Sequence, residues 1–144
     1  MRRLLLVATV LFATGPASAQ DGKECFSKFT KYNVCEKARD IQREVAASLP
    51  MKMSANITLS LVSVAGPRVV IMATWHTKRS DVDALLQVGG MSLADLDAKM
   101  SQSTRNGVCS QAVMAAFVRL GGQVQYVYKT EDGFVVLSPV VTAC

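Results

Sequence analysis

Met51-Lys52-Met53-Ser54-Ala55-Asn56-Ile57-Thr58-Leu59-Ser60-Leu61 is the stretch that decides the fold class. Met51, Met53, Ala55, Ile57, Leu59 and Leu61 alternate with Lys52, Ser54, Asn56, Thr58 and Ser60. A period of two puts the first set on one side of an extended chain and the second on the other, so the stretch reads as a strand with one face buried and one wet. The phase slips after Leu61, where Val62 and Val64 are apolar and Ser63 is not. A one-residue slip turns every later side chain over, so a bulge or the strand's end is expected there. Ala65-Gly66-Pro67 supplies a turn, and Val69 to Trp75 follows as an apolar, β-branched run broken only by Thr74. That run reads as a strand covered on both faces and paired with the first in a hairpin.

Upstream the period is helical. Val34, Ala38, Ile41, Val45 and Leu49 recur every three or four residues, with Lys37, Arg39, Asp40, Arg43 and Glu44 on the other faces. Asn33 with Glu36 three residues later suits a helix start, Asp40 and Arg43 form a favourable i,i+3 pair, and Pro50 stops the helix. Phe26, Phe29 and Tyr32 stand three apart, as in a short helix with its aromatic stripe folded under.

Downstream, Ser80 with Asp83 opens a helix through Val82, Leu85 and Leu86 that Gly89-Gly90 closes. Ser92 with Asp95 opens another through Leu93, Leu96 and Met100, and the polar Ser101–Gly107 reads as a loop. Ser110 caps a third, carrying Val113, Met114, Phe117, Val118 and Leu120 and ended by Gly121-Gly122. Val124, Tyr126 and Tyr128 alternate with Gln123 and Gln125, Glu131-Asp132-Gly133 is a hairpin turn, and Phe134 to Ala143 is the closing strand. Pro139 makes that strand an edge or bulges it. The order is α-β-β-α-α-α-β-β. Its simplest assembly is an α+β domain: a four-stranded antiparallel sheet made of two hairpins, with helices packed on a face.

Met1-Arg2-Arg3, the apolar run Leu4–Ala13 broken only by Thr9, and Ala17-Ser18-Ala19 have the form of a secretory signal peptide, too short in its apolar part to cross a bilayer. The expected organisation is a cleaved Sec signal at residues 1–19 and one domain at 20–144, with no transmembrane segment in the mature chain. Arg2 and Arg3 leave with the signal, so the net charge of +5 falls to about +3. Half of the 144 residues are apolar, which excludes a disordered chain and permits a core. Gln20 rather than a cysteine follows Ala19, so a lipid anchor at that site is disfavoured. The periplasm is the expected destination, and full secretion the alternative. All four cysteines, Cys25, Cys35, Cys109 and Cys144, follow the signal, and an oxidising compartment pairs an even number. The favoured pairing is Cys25–Cys35 with Cys109–Cys144: the first two are close in sequence, and the second bond ties down a chain end that otherwise frays.

Little in the chain carries chemistry. No G-x-S-x-G, S-x-x-K, H-E-x-x-H or C-x-x-C is present, and His76 is the only histidine, so no cofactor and no metal is expected. Trp75, His76, Lys78 and Arg79 form the one candidate binding cluster, at a sheet end and able to grip an acidic partner. The same residues also suit a core tryptophan beside a solvent-facing histidine and a charged loop. Asp81, Asp83, Asp95 and Asp97 sit in helix first turns, where they oppose the macrodipole rather than form a glycosidase pair. No basic stripe with interleaved aromatics argues for nucleic acid. Methionines suit adaptable apolar grooves but more often fill a core, and Met51, Met53 and Met91 are the ones placed for exposure. The layout of helix, hairpin, helices, then C-S-x(n)-G-G-x-V-x-Y-x-Y and a final cysteine resembles small exported bacterial proteins. The reading that follows is a non-enzymatic periplasmic accessory protein of a secretion, conjugation or envelope machine, binding a protein or peptide on a strand edge or apolar groove. The alternative is an inhibitor or immunity protein against an envelope-active enzyme, with basic lysozymes disfavoured as targets because this chain is itself basic. A small hydrolase built on His76 is the third reading.

Overall fold

A computed structural model of the chain describes residues 22–144; the expected signal at residues 1–19 lies outside the described residues. Helix α1 (Val34–Ala46) begins where Asn33 Oδ1 accepts the backbone N–H of Glu36 at 3.1 Å. Its buried edge is Val34, Cys35, Ala38 and Ile41, with Val45 at the margin, as the spacing requires; the helix ends at Ala46 rather than at Pro50, and Leu49 packs on the core from the turn beyond it. Arg43 Nη2 meets Asp40 Oδ1 at 2.5 Å on the wet side.

The alternating stretch is folded back on itself rather than being one strand. β1 (Met51–Lys52) pairs antiparallel with the start of β2 (Ile57–Ala65), Met51 opposite Leu59 and Lys52 opposite Thr58. Ser54 and Asn56 turn the chain between them: the backbone N–H groups of Met53 and Ser54 both reach the Ile57 carbonyl, and Ser54 Oγ accepts from the Asn56 N–H. Short polar side chains that bond the local backbone make such turns, and period two alone does not expose them. The slip in phase is a bulge between Leu59 and Leu61, at Ser60. It throws Leu61 outward, 51% exposed, and returns Val62 to the core.

β3 (Arg68–Trp75) pairs with β2 as a hairpin closed by Gly66 at φ 58°. Val69, Ile71 and Ala73 are buried, while Val70, Met72 and Thr74 are only half-buried. The expectation of cover on both faces is therefore met on one. Helices pack on the Val69–Ile71–Ala73 face; on the other, Met72 sits between its sheet partners Leu61 and Val127 and gains only lateral cover.

After β3 come α2 (Arg79–Val88), α3 (Leu93–Ser110) and α4 (Ala112–Arg119), then β4 (Gln123–Thr130), β5 (Val135–Leu137) and β6 (Val140–Val141). β4 lies parallel to β3, in register from Arg68 opposite Gln123 to Trp75 opposite Thr130. The sheet is accordingly mixed, with six strands among the described residues in the order β1-β2-β3-β4-β5, and β6 beside β5 on β4. The four-stranded antiparallel sheet is corrected here. The helices between the two hairpins form a crossover that carries the chain back to the starting end of β3, and a crossover of this kind delivers a parallel strand. The closing strand is divided at Pro139, which has no N–H to give, yet its carbonyl accepts from the Tyr126 N–H at 3.1 Å.

Helix α3 runs 18 residues, straight through the polar stretch 101–107 that reads as a loop. Met100, Thr104 and Val108, four apart, form its inner edge, and the buried Thr104 hydroxyl meets Tyr128 OH at 3.0 Å. The serines, glutamine and arginine around them are the wet face of a helix. Gln111 rather than Ser110 caps α4. Gly121 takes φ 101°, and Gly122 packs so tightly on Phe117 that a Cβ there would lie 2.4 Å from the ring's Cζ.

Both disulfides are present, Cys25–Cys35 with Cα atoms 5.0 Å apart and Cys109–Cys144 at 5.5 Å. The aromatic segment is not a helix and is not folded under. Lys23–Cys25 is a single 3-10 turn, Phe26 bridges to Asn33, and the Ser27 N–H reaches the Tyr32 carbonyl at 3.0 Å. A bond that returns the chain within ten residues favours this narrow loop, and it leaves Phe26, Phe29 and Tyr32 exposed.

Candidate interaction surface at the carboxyl ends of the central strands

β3 and β4 end side by side at Trp75 and Thr130, and the four residues singled out in the sequence lie at this end. Trp75 is half-buried between Ile57 of β2 and Thr130 of β4. His76 is exposed; its backbone N–H bonds the Asn56 carbonyl at 2.8 Å. Its Nε2 is 2.8 Å from Thr58 Oγ1 and its Nδ1 is 3.4 Å from Glu131 Oε1, which suits a proton on Nδ1 and acceptance from the threonine hydroxyl. A hydroxyl, an imidazole and a carboxylate thus stand in line. His76 and Glu131 are, however, 42% and 50% exposed, and in water such a line has little electrostatic leverage over a reaction.

Arg79 stacks over Phe134, 3.7 Å from guanidinium carbon to ring centroid, and its Nε is 3.5 Å from Asp83 Oδ2. Its backbone N–H donates to the carboxylate of Asp132, whose pKa is held below the usual carboxylate range by the Thr130 hydroxyl and by that Arg79 N–H. The Lys78 N–H donates to Asp81 Oδ2 at 3.3 Å, so α2 starts two residues before the Ser80 start read from sequence. Arg79 is thus engaged by Asp83 through its side chain and by Asp132 through its backbone, while the Lys78 side chain makes no ion pair among the described residues. The cluster stitches the root of α2 to β2 and to the turn after β4.

From that root α2 and the first turns of α3 form an arm. In α2 only Val82 is buried; Leu85 is 66% exposed and Val88 89%. In α3 burial starts in earnest at Thr104, and Leu93 stays exposed. Leu86, Met91 and Leu96 are half-buried between these, so the arm offers a run of aliphatic side chains to solvent. Gly89-Gly90 forms its joint, Gly90 at φ 59°. Ser92 anchors α3 by accepting the Asp95 N–H at 3.1 Å while Asp95 Oδ2 accepts the Ser92 N–H at 2.9 Å. Ser92's hydroxyl and backbone N–H hold Asp95 below the usual carboxylate range. The apolar spacing of Val82, Leu85 and Leu86 is visible in the sequence, but a stripe facing a core and a stripe facing nothing are written alike. Exposed Met51 and Met53 bear out the expectation for those two; Met53 also borders a small hollow of about 170 Å³ with Tyr126 and Tyr128, whose rings stack at 5.9 Å.

Among the described residues, no His, Cys, Asp and Glu side chains gather in a group that would hold a metal ion, and no helix is long and apolar enough to cross a membrane. No protein-family profile and no curated protein sequence matches the chain. Solved structures do. EpsS, the pilotin of the Vibrio vulnificus type 2 secretion system, superposes with a TM-score of 0.59 at 14% identity, over 76% of this chain and 88% of its own. AspS, the type II secretion pilotin of Vibrio cholerae, gives 0.57 at 13%, over 76% and 89%. A Pseudomonas aeruginosa protein described as secreted gives 0.58 at 13%, over 76% and 89%. The chain shares its fold with these pilotins of secretion systems.

Proposed function

We propose that the protein is a non-enzymatic accessory of an envelope secretion machine, working in the periplasm by docking a protein partner on the aliphatic arm of α2 and early α3. The observation that carries this reading is the fold held in common with two pilotins over three-quarters of the chain. The arm supports it: Leu85 and Val88 of α2 and Leu93 at the start of α3 are exposed on either side of a glycine joint, an apolar surface that excludes water on contact with a partner. The signal-like residues 1–19 and the two disulfides agree with work outside the cytosol.

Gene deletion with complementation tests the proposal. Cells lacking the protein are expected to retain in the periplasm the enzymes they normally release. The wild-type gene restores release, and the double variant Leu85→Glu/Val88→Glu does not, although it accumulates and melts like wild type because both positions are exposed. Normal release from the deletion strain overturns the machine assignment. Full rescue by the double variant overturns the arm as the docking surface.

A further inference from the structure

We propose that the Cys25–Cys35 loop is a membrane-contacting finger that seats on an anionic phospholipid bilayer. This stands apart from the arm and from the secretion reading. Phe29 forms the tip and is 87% exposed, with Phe26 and Tyr32 half exposed on either side. Lys28 and Lys31 alternate with these rings, both exposed, and neither makes an ion pair among the described residues. The nearest carboxylates flank the loop in sequence: Glu24 lines a hollow with Lys28 and Phe29, and Glu36 and Asp40 line another with Lys31 and Tyr32, where Lys37 stands against them. The loop is held in shape: the disulfide closes it, Phe26 bridges to Asn33, and Asn33 caps α1. Its rings are thus presented with little ordering left to do on contact. Behind the tip the first of these hollows, about 410 Å³, runs from Phe26 and Phe29 to Arg119 and Leu120, where Arg119 adds a cation and Glu24 an anion to its lining.

The alternation of ring and lysine decides the occupant. Lysine is depleted from the centre of protein–protein contacts, which are dry and aromatic, so a tip that interleaves lysines with its rings suits such a centre poorly. A bilayer surface takes both. Aromatic rings settle at headgroup level, and ammonium groups meet the phosphates of an anionic leaflet just above. Each lysine near such a surface is worth roughly five-fold in partitioning.

The test uses residues 20–144, which contain every described element and both disulfides, purified oxidised and sedimented with vesicles. Vesicles of phosphatidylcholine with one-third phosphatidylglycerol are expected to carry the protein down, and phosphatidylcholine alone at least ten-fold less well. Phe29→Ala weakens binding about ten-fold and Lys28→Gln/Lys31→Gln about twenty-five-fold, with melting temperatures unchanged. Equal partition into both lipids, no binding to the anionic vesicles, or wild-type binding by both variants overturns the proposal.

Discussion

At the scale of single residues, close packing rather than chemistry sets what is tolerated. Gly122 lies against the Phe117 ring, and the 2.4 Å separation a Cβ would have from Cζ leaves the ring nowhere to go, because Phe117 is itself fully buried. Gly122→Ala is expected to cost about 1–3 kcal/mol by overpacking, read as a lowered denaturation midpoint with an unchanged slope. The pair Gly121-Gly122 is legible in the sequence as the end of a helix. Its contact with Phe117 is not, since only the folded chain brings the ring back over the turn. Asp95 gives a prediction of another kind. Hydrogen bonds from Ser92 lower its folded pKa, so as acid is added the unfolded chain takes up the proton first. The contribution is complete above the ordinary carboxylate range and is lost as pH falls through that range toward the lower folded value. Asp95→Asn should flatten that part of the acid limb of a stability–pH curve, and an NMR titration of the Asp95 carboxyl should show its midpoint below that of an unstructured aspartate.

Among the elements, the chain end is the part most dependent on covalent help. β6 is two residues long and lies on β4 at the sheet's edge, so it holds Val141 in the core with few hydrogen bonds of its own. Cys109–Cys144, spanning 35 positions, ties this segment to α3. Loop-closure entropy assigns that bond about 4 kcal/mol and the shorter Cys25–Cys35 about 3. Replacing Cys109 and Cys144 by serine should therefore destabilise the domain more than replacing Cys25 and Cys35, with the difference read by urea unfolding. α1, the β2–β3 hairpin and the Ser92 helix start were legible because periodicity and local caps determine them. The lower half of α3 was not: a helix with one narrow buried edge at Met100, Thr104 and Val108 has the composition of a loop. Nor was β1 distinct, because alternation continues in phase across the Ser54–Asn56 turn. The four residues at the sheet end stand together in the sequence, but the carboxylates that engage Arg79 are Asp83 of α2 and Asp132 of the turn after β4, the latter far away in sequence.

At the scale of the whole molecule, the two halves meet otherwise than the sequence reading has it, at the seam between β3 and β4. Each half was readable as helices followed by a hairpin. How the halves meet depends on where a long crossover sets the chain down, and no local pattern records that. The seam is also the sheet's best-buried pairing, with Val69, Ile71 and Val124 all but inaccessible. It has a temporal consequence. Ribosomes and export channels release a polypeptide from its amino terminus, so α1 and the first hairpin emerge long before Gln123. Through that interval the middle of the future sheet is an open rim of amide and carbonyl groups above a greasy face, and neighbouring nascent chains can pair with it. A holdase shielding Val69–Trp75 is most useful in that interval, before the last twenty or so residues arrive.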